Sequence, residues 1–430
     1  MNNNSKQLYL DFDEYIRQGE PSKKEKASIW QTAIGLQAVD GLQTSEYLKT
    51  IACRHIEGEI DIDEARKLIK SYYQSKTLCE AGENDMQEAD KVSANITKIL
   101  SSKALDFSTN GFISIHRRVF EDVFKHAGKL RDYDITKREW VLDGDTVNYL
   151  NWEDLRRALD YDIAQERAFS YKGITSDEMV RHITHFVSGL WQIHPFSEGN
   201  TRTTAVFTIL YLRSIGFKVN NDLFAQHSWY FRNALVRANY KNARTGIDYT
   251  TIYLEHFFRN LILGDKWDLR NRYLHINATD DWKVQPNFAD PTSTPQVKDE
   301  NPTSTPQVLD YLHTNNQYIM KLIIAIGDIE MSVKEMLTAL ELKERKSFIS
   351  LYLNPAINEG YVSMLYPDSP RHPRQKYLLT VKGLAVYNEF YCCPVNNNSP
   401  LYCFVVQCFI AIFTKGACLY TMRAESPTIT

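Results

Sequence analysis

Nine consecutive residues, His194-Pro195-Phe196-Ser197-Glu198-Gly199-Asn200-Thr201-Arg202, concentrate groups that could do chemistry. His194 can take a proton near neutral pH. Glu198 can hold a hard cation such as Mg²⁺ through oxygen. Asn200 and Arg202 can donate to phosphate oxygens, Arg202 as a two-pronged fork. Gly199 lets the backbone approach a ligand closely. The alternative is a plain helix–loop–helix turn with surface polar residues, a poor match for so many functional types in so short a stretch.

Two helices must position these groups. Met179, Ile183, Phe186, Val187, Leu190 and Trp191 carry helical apolar spacing into the stretch, with Ser176 as N-cap and Glu178 in the first turn. Pro195 and Gly199 break that helix, and a second apolar helix runs from about Thr203 to Ser214. The nine residues are therefore a loop ending at a helix N-terminus. Exposed N–H groups there favour an anion, and phosphate is the commonest one.

The stretch resembles the Fic family signature HPFx(D/E)GNGRxxR, closely through Arg202. Proteins of that family are mostly AMP transferases, moving AMP from ATP to a hydroxyl of a target protein. The resemblance implies His194 as the general base and Glu198 as the Mg²⁺ ligand. Gly199, Asn200 and Arg202 would hold the phosphates, with Phe196, Ser197 and Thr201 in the same nucleotide-binding loop. Two positions depart from the signature. Thr201 replaces its second glycine, and Ala205 stands where its second arginine, a γ-phosphate contact, would be. A later helix, Ser228 to Tyr240, corresponds to one lining the nucleoside pocket in the family. That maps Asn239, Phe231 and Arg232 onto the nucleotide, Arg232 by stacking its planar guanidinium on the base.

Composition narrows the class. The chain has 430 residues, 43% of them apolar, enough for two or three domains. A net charge of −3 gives no general basic field for bulk nucleic-acid binding. Five of the seven cysteines follow position 391, leaving only Cys53 and Cys79 before it, and no CxxC pair or disulfide framework lies in the folded part. The N-terminus is polar, without a secretory leader, and a reducing cytoplasm is the expected setting. His182 and His185 share a helix face, but no cysteine is near and His194 is already employed, so a structural role outweighs zinc.

Taken in order, residues 1–26 read as a flexible arm and 27–79 as a compact helical unit. Within that unit, Leu36-Gln37-Ala38-Val39-Asp40-Gly41 resembles the inhibitory motif (S/T)xxxE(G/N) of Fic-associated antitoxins. The resemblance makes Asp40 and Gly41 the inhibitory pair. With Ala205 in place of the usual arginine, Asp40 is expected to lack a charge partner and to restrain the chain weakly. Residues 80–90, acidic and polar, read as a connector, and the catalytic domain is placed at 92–263. Trp140 to Tyr149, two short apolar runs around Asp143-Gly144, predict a β-hairpin. In Fic proteins a hairpin there is a flap that docks the target segment beside the histidine.

Residues 285–308 form a linker in which Pro291 to Val297 recurs as Pro302 to Val308. Residues 312–388 predict a winged helix: helices at 319–326, 332–340 and 346–357, then strands at 361–364 and 376–380 around a Pro/Arg wing. Such a module docks DNA or protein, and Arg345, Lys346, Arg371, Arg374 and Lys376 supply local positive charge. Residues 391–430 read as an irregular tail whose apolar run, 401–413, is too short to span a bilayer.

The expected fold is mainly α: a helical Fic core with one hairpin flap, an antitoxin-like N-terminal unit and a C-terminal winged helix. The expected function is adenylyl transfer from ATP, with Mg²⁺, to a Ser, Thr or Tyr hydroxyl, in a target or in the chain itself. A nucleotide-sensing transcriptional regulator and a transferase using another nucleotide are the rival readings. No membrane partner is expected, and a homodimer is allowed.

Overall fold

The computed structural model describes residues 12, 14–17, 19–75, 83–102, 104–219, 222–278 and 314–392. Two compact units divide the chain, one of residues 1–171 and 176–313, the other of 172–175 and 314–430. The segments expected as separate antitoxin-like and catalytic domains, 27–79 and 92–263, thus share one unit.

The first unit starts with α1, Pro21–Gly35, whose proline sits in the first turn, where no N–H is needed. A short 3-10 turn, Leu36–Asp40, extends it to Gly41. Helix α2, Glu46–Glu57, is capped by Ser45, which accepts from Leu48 N–H at 3.1 Å. Helix α3, Ile62–Ser75, follows Asp61, which accepts from Glu64 N–H at 2.8 Å. Trp30, Leu48, Ile51, Ile56 and Ile69 form one buried cluster. Phe12, 1% exposed, belongs to it, with Tyr15 and Ile16 packed against it. Within the expected flexible arm, Phe12 and Glu14 to Arg17 are helical and Pro21 opens α1, because its sparse apolar residues complete that cluster.

Helix α4, Glu83–Ser101, replaces most of the expected connector at 80–90. Its Asp90 is buried and accepts from Ser45 N–H at 2.8 Å and from Tyr73 O–H at 2.7 Å. A buried carboxylate needs such partners, so acidity that looks solvated in the sequence is a packing contact.

Helix α5, Thr109–Val119, is capped by Ser108. Helices α6, Leu155–Ala168, and α7, Ser176–Ile193, lead to α8, Asn200–Ser214, whose residues from Asn200 to Leu212 are all buried. Helix α9, Asp222–Ala238, is kinked at His227. It approaches α1 so closely that a Cβ on Gly35 would lie 2.4 Å from the Ala225 carbonyl, and Ser228 Oγ donates to the Gly35 carbonyl at 2.8 Å. Helix α10, Ile252–Phe258, runs on into a π turn, Arg259–Leu263.

No strand forms between Trp140 and Tyr149, against the hairpin expectation. Trp140–Leu142 is a 3-10 turn, and Asp143 and Gly144 follow with positive φ. Val141 and Leu142 are consecutive and both buried, which period-two strand geometry does not allow on one face. The Val141 carbonyl accepts instead from Ile276 N–H at 3.0 Å, and Glu139 N–H donates to Asp145 at 3.0 Å to close the loop.

The second unit holds α11, Gln317–Ile326, α12, Val333–Ala339 with a Ser332/Glu335 capping box, and α13, which starts as Arg345–Phe348 and continues through Ile349–Leu353 to Asn354–Asn358. Strands β1, Val362–Met364, and β2, Tyr377–Leu379, pair antiparallel, Ser363 opposite Leu378, and Met331 bridges to Tyr377. Helix α14, Val381–Cys392, closes the unit. The element order is the one the winged-helix expectation requires. Arg345, Lys346, Arg371 and Arg374 are exposed, while Lys376 lies 3.9 Å from Glu330. The linker 285–308 and, past Cys392, the tail of 391–430 fall outside the described residues. No described helix is long and apolar enough to cross a membrane.

Candidate active site

The nine-residue loop runs from the end of α7 to the start of α8. His194 sits at φ +48°, and Gly199 at φ +75°. At Gly199 conformation and space agree, since a Cβ would lie 2.1 Å from the Phe120 ring. The first helical bond of α8 is Thr203 N–H to the Gly199 carbonyl, 3.0 Å. The N–H groups of Asn200, Thr201 and Arg202 thus precede the helix ladder, where an anion could accept from them.

Buried contacts hold the loop from behind. Phe196 stacks on His116, ring centres 3.7 Å apart. His116 Nε2 lies 3.1 Å from the Glu198 carbonyl, and His116 Nδ1 accepts from Gly128 N–H at 2.8 Å. Those partners require Nε2 to carry the proton, and burial pushes the His116 pKa down to about 3. Asn200 brackets its own loop, accepting from Phe196 N–H at 2.9 Å and donating to the Phe196 carbonyl at 2.7 Å. Thr201, in place of the signature glycine, accepts from Trp191 Nε1–H at 2.9 Å. The side chains of Phe196, Asn200 and Thr201, expected at the nucleotide, are therefore occupied in building the loop.

His194 is 3% exposed. Its Nδ1 lies 3.3 Å from the Trp191 carbonyl, which assigns the proton to Nδ1 and leaves the Nε2 lone pair as the base. Tyr149 covers it, ring centres 4.1 Å apart. Burial first, then the cations Lys137, Arg232 and Arg131, hold its pKa well below 6.5, against the opposing Trp191 carbonyl. His194 is therefore neutral at pH 7, as a base must be.

Beside the loop lies a groove of about 510 Å³, lined in part by Asp40, Gly41, Glu88, Glu198, Arg202 and Arg232. Arg202 is 2% exposed. It donates to Gln37 Oε1 at 3.0 Å and to Glu88 Oε1 at 2.7 Å. Its Nε lies 2.8 Å from Asp40 Oδ2, an ion pair in which the N–H is not aimed at the oxygen. Its guanidinium also covers the Phe120 ring at 4.8 Å. Arg232 donates both ways, to the Val39 carbonyl at 3.0 Å and Asp40 Oδ1 at 3.3 Å, and to both oxygens of buried Glu139 at 3.1 Å. The expectation that Asp40 lacks a charge partner is overturned. Arg202 and a second arginine from another helix replace the contact that Ala205 cannot make.

The remaining expected residues separate. Ser197 is half-buried at the loop's tip, and Glu198 is exposed, held by Lys137 Nζ at 3.1 Å. Phe231 is 0% exposed and packs on Phe224 and Phe257, each 5.0–5.1 Å away, on the face of α9 turned from the groove. Asn239 donates to Ser188 Oγ at 3.0 Å and to the Leu235 carbonyl at 2.9 Å, tying α9 to α7. His182 lies 2.6 Å from Glu166, consistent with a structural role. Sequence reasoning missed Glu88, Arg131, Lys137, Glu139 and Trp229, and gave Tyr149 only as the end of the flap. None lies in a signature. The aromatic Trp229, one turn before Arg232 on the same helix, was the one with a readable signal.

Among the described residues no group of three or more His, Cys, Asp or Glu side chains could hold a metal. Mg²⁺ asks less than that, taking one or two carboxylates and completing its shell with phosphate and water oxygens. Exposed Glu198 beside the loop fits that requirement.

Residues 106–212 match the sequence model of the Fic/DOC family, and residues 317–380 that of the C-terminal domain of Fic-like proteins, "filamentation induced by cAMP". The protein adenylyltransferase VbhT of Bartonella schoenbuchensis is 23% identical over 209 residues, 45% of this chain and 42% of its own. A protein adenylyltransferase of Bartonella henselae is 24% identical over 185 residues, 39% of this chain and 31% of its own. The chain thus spans less than half the length of either curated relative. A Fic family protein from Desulfovibrio desulfuricans G20 aligns in structure over 88% of this chain and 97% of its own, at 14% identity and a TM-score of 0.37.

Proposed function

We propose, from the Fic/DOC domain that this chain carries, that it is a protein adenylyltransferase using ATP. The observation that carries the reading is a neutral, buried histidine with a free Nε2, set one loop away from Arg202 and from a helix start whose first N–H groups precede the helix ladder.

In the proposed reaction a target hydroxyl attacks the α-phosphorus of ATP. A new O–P bond forms, and the bond from the α-phosphorus to the bridging oxygen breaks. Pyrophosphate leaves with that electron pair, and His194 Nε2 takes the hydroxyl proton. The N–H groups at the start of α8 and Arg202 hold phosphate oxygens. Glu198 would hold Mg²⁺, which supplies positive charge against the phosphates. Trp229 offers the groove an aromatic face for a nucleobase, in place of the Arg232 guanidinium to which the sequence assigned that stacking.

The described state is closed. Asp40 and Glu88 hold the Arg202 guanidinium that phosphates need, and Tyr149 covers the base. Asp40 therefore acts as an internal inhibitor, with Gly41 beside it in the groove lining, through contacts of a different set from the one the family signature supplies.

Incubation with ATP, GTP, CTP or UTP and Mg²⁺, followed by intact-mass measurement, tests the donor. An added AMP with ATP alone supports the reading. Transfer from another nucleotide at an equal or higher rate, or from none of them even with Asp40→Ala, overturns it.

A further inference from the structure

We propose that Arg131 is a positioning residue that fixes His194 at a set distance from the two ends of the loop containing Trp140 to Tyr149. The proposal rests on His194 being the base. The Arg131 side chain is 0% exposed, and Nε donates to the His194 carbonyl at 2.8 Å. Nη1 donates to the Tyr133 carbonyl at 2.7 Å, while Nη2 reaches the carbonyls of Leu150 and, at 3.4 Å, Ile193. Its own N–H donates to the Pro195 carbonyl at 2.9 Å. One residue thus gathers two carbonyls of the motif, that of Ile193 just before it, and one from each end of the loop that covers it.

The chemistry of these partners sets the role. Asp134, exposed and 3.5 Å away, is the carboxylate beside the guanidinium, so carbonyl dipoles carry most of the compensation for a buried charge. Such burial is costly unless every donor is used. Only a planar fork with five N–H groups meets carbonyls in this many directions, and an ammonium on a flexible stem cannot. His194 has the left-handed backbone that non-glycine residues disfavour. Anchoring its carbonyl holds that conformation and so aims the imidazole. Leu150 is the neighbour of Tyr149, whose ring lies on His194. The same guanidinium therefore sets how far the covering loop stands from the base.

The test compares full-length wild type, Arg131→Lys and Arg131→Gln. Two readouts are taken: hydrogen–deuterium exchange of peptides spanning 146–152 and 190–196, and kcat and KM for self-transfer from α-labelled ATP. Both variants should exchange faster in the two peptides together, while residues 200–214 stay protected. The kcat should fall on the order of 10²-fold with KM for ATP within about threefold, the cost of a displaced catalytic group. Unchanged exchange in both peptides would overturn the proposal, as would wild-type kcat in Arg131→Lys, or kcat lost only in step with the folded fraction. If Arg131→Gln does not fold, Arg131→Lys decides alone. If wild type transfers nothing, the kinetic comparison is made in the Asp40→Ala background; if that protein also transfers nothing, the transfer reading fails and the exchange comparison still decides Arg131.

Discussion

The Asp40 carboxylate lies between two arginines, 2.8 Å from Arg202 Nε and 3.3 Å from Arg232 Nη1. Arg202 belongs to the loop proposed to hold phosphate, so a side chain of the N-terminal segment stands at the place that proposal gives to a phosphate.

Asp40→Ala should therefore open the groove. A contact of this charged kind contributes about 1.5–3 kcal/mol, or roughly tenfold to a hundredfold in nucleotide affinity. Titration of wild type and variant with a fluorescent ATP analogue measures it. Glu88→Ala should act in the same direction, and the double variant should fall short of the sum because both acids share Arg202. Equal affinities in wild type and Asp40→Ala would remove the inhibitory role.

Lys137→Gln should move the pH profile. His194 is held well below pH 6.5 by burial first and by Lys137 next. Loss of the ammonium raises the His194 pKa, so the acid limb of kcat/KM should shift to higher pH, towards 6.5. The wild-type limb should lie clearly below that value. A limb that stays in place, or moves to lower pH, would contradict the assigned base.

Gly199→Ala should abolish nucleotide binding and lower Tm, since the added carbon would lie 2.1 Å from the Phe120 ring at a φ alanine disfavours. Thr201→Val separates stability from chemistry. It leaves the buried Trp191 N–H unpaired, at about 1–3 kcal/mol. Thermal unfolding should register that loss, while transfer per folded molecule should stay near wild type.

Much of this was legible in local pattern. Apolar spacing located α7 and α8, and the loop between them carried its chemistry in residue types alone. What sequence could not show was direction. Asn200 and Thr201 look like ligand contacts, yet they turn inward to close the loop on Phe196 and Trp191. Phe231 and Arg232 are adjacent, but helix geometry sends one to the core and the other to Glu139 and Asp40. The predicted hairpin failed because Val141 and Leu142 are buried side by side, against an Ile276 backbone more than a hundred residues along the chain. The acidic run at 80–90 hid Asp90, whose partners Tyr73 and Ser45 lie 17 and 45 residues away, and Glu88, whose partner Arg202 lies 114 residues away.

The most direct measurement is intact-mass analysis of Asp40→Ala, with and without His194→Ala, after incubation with ATP and Mg²⁺. Asp40→Ala should gain the mass of AMP. The double variant should bind the nucleotide with similar affinity and gain mass on the order of 10²–10⁴-fold more slowly. Equal rates of AMP addition in the two proteins would contradict His194 as the base.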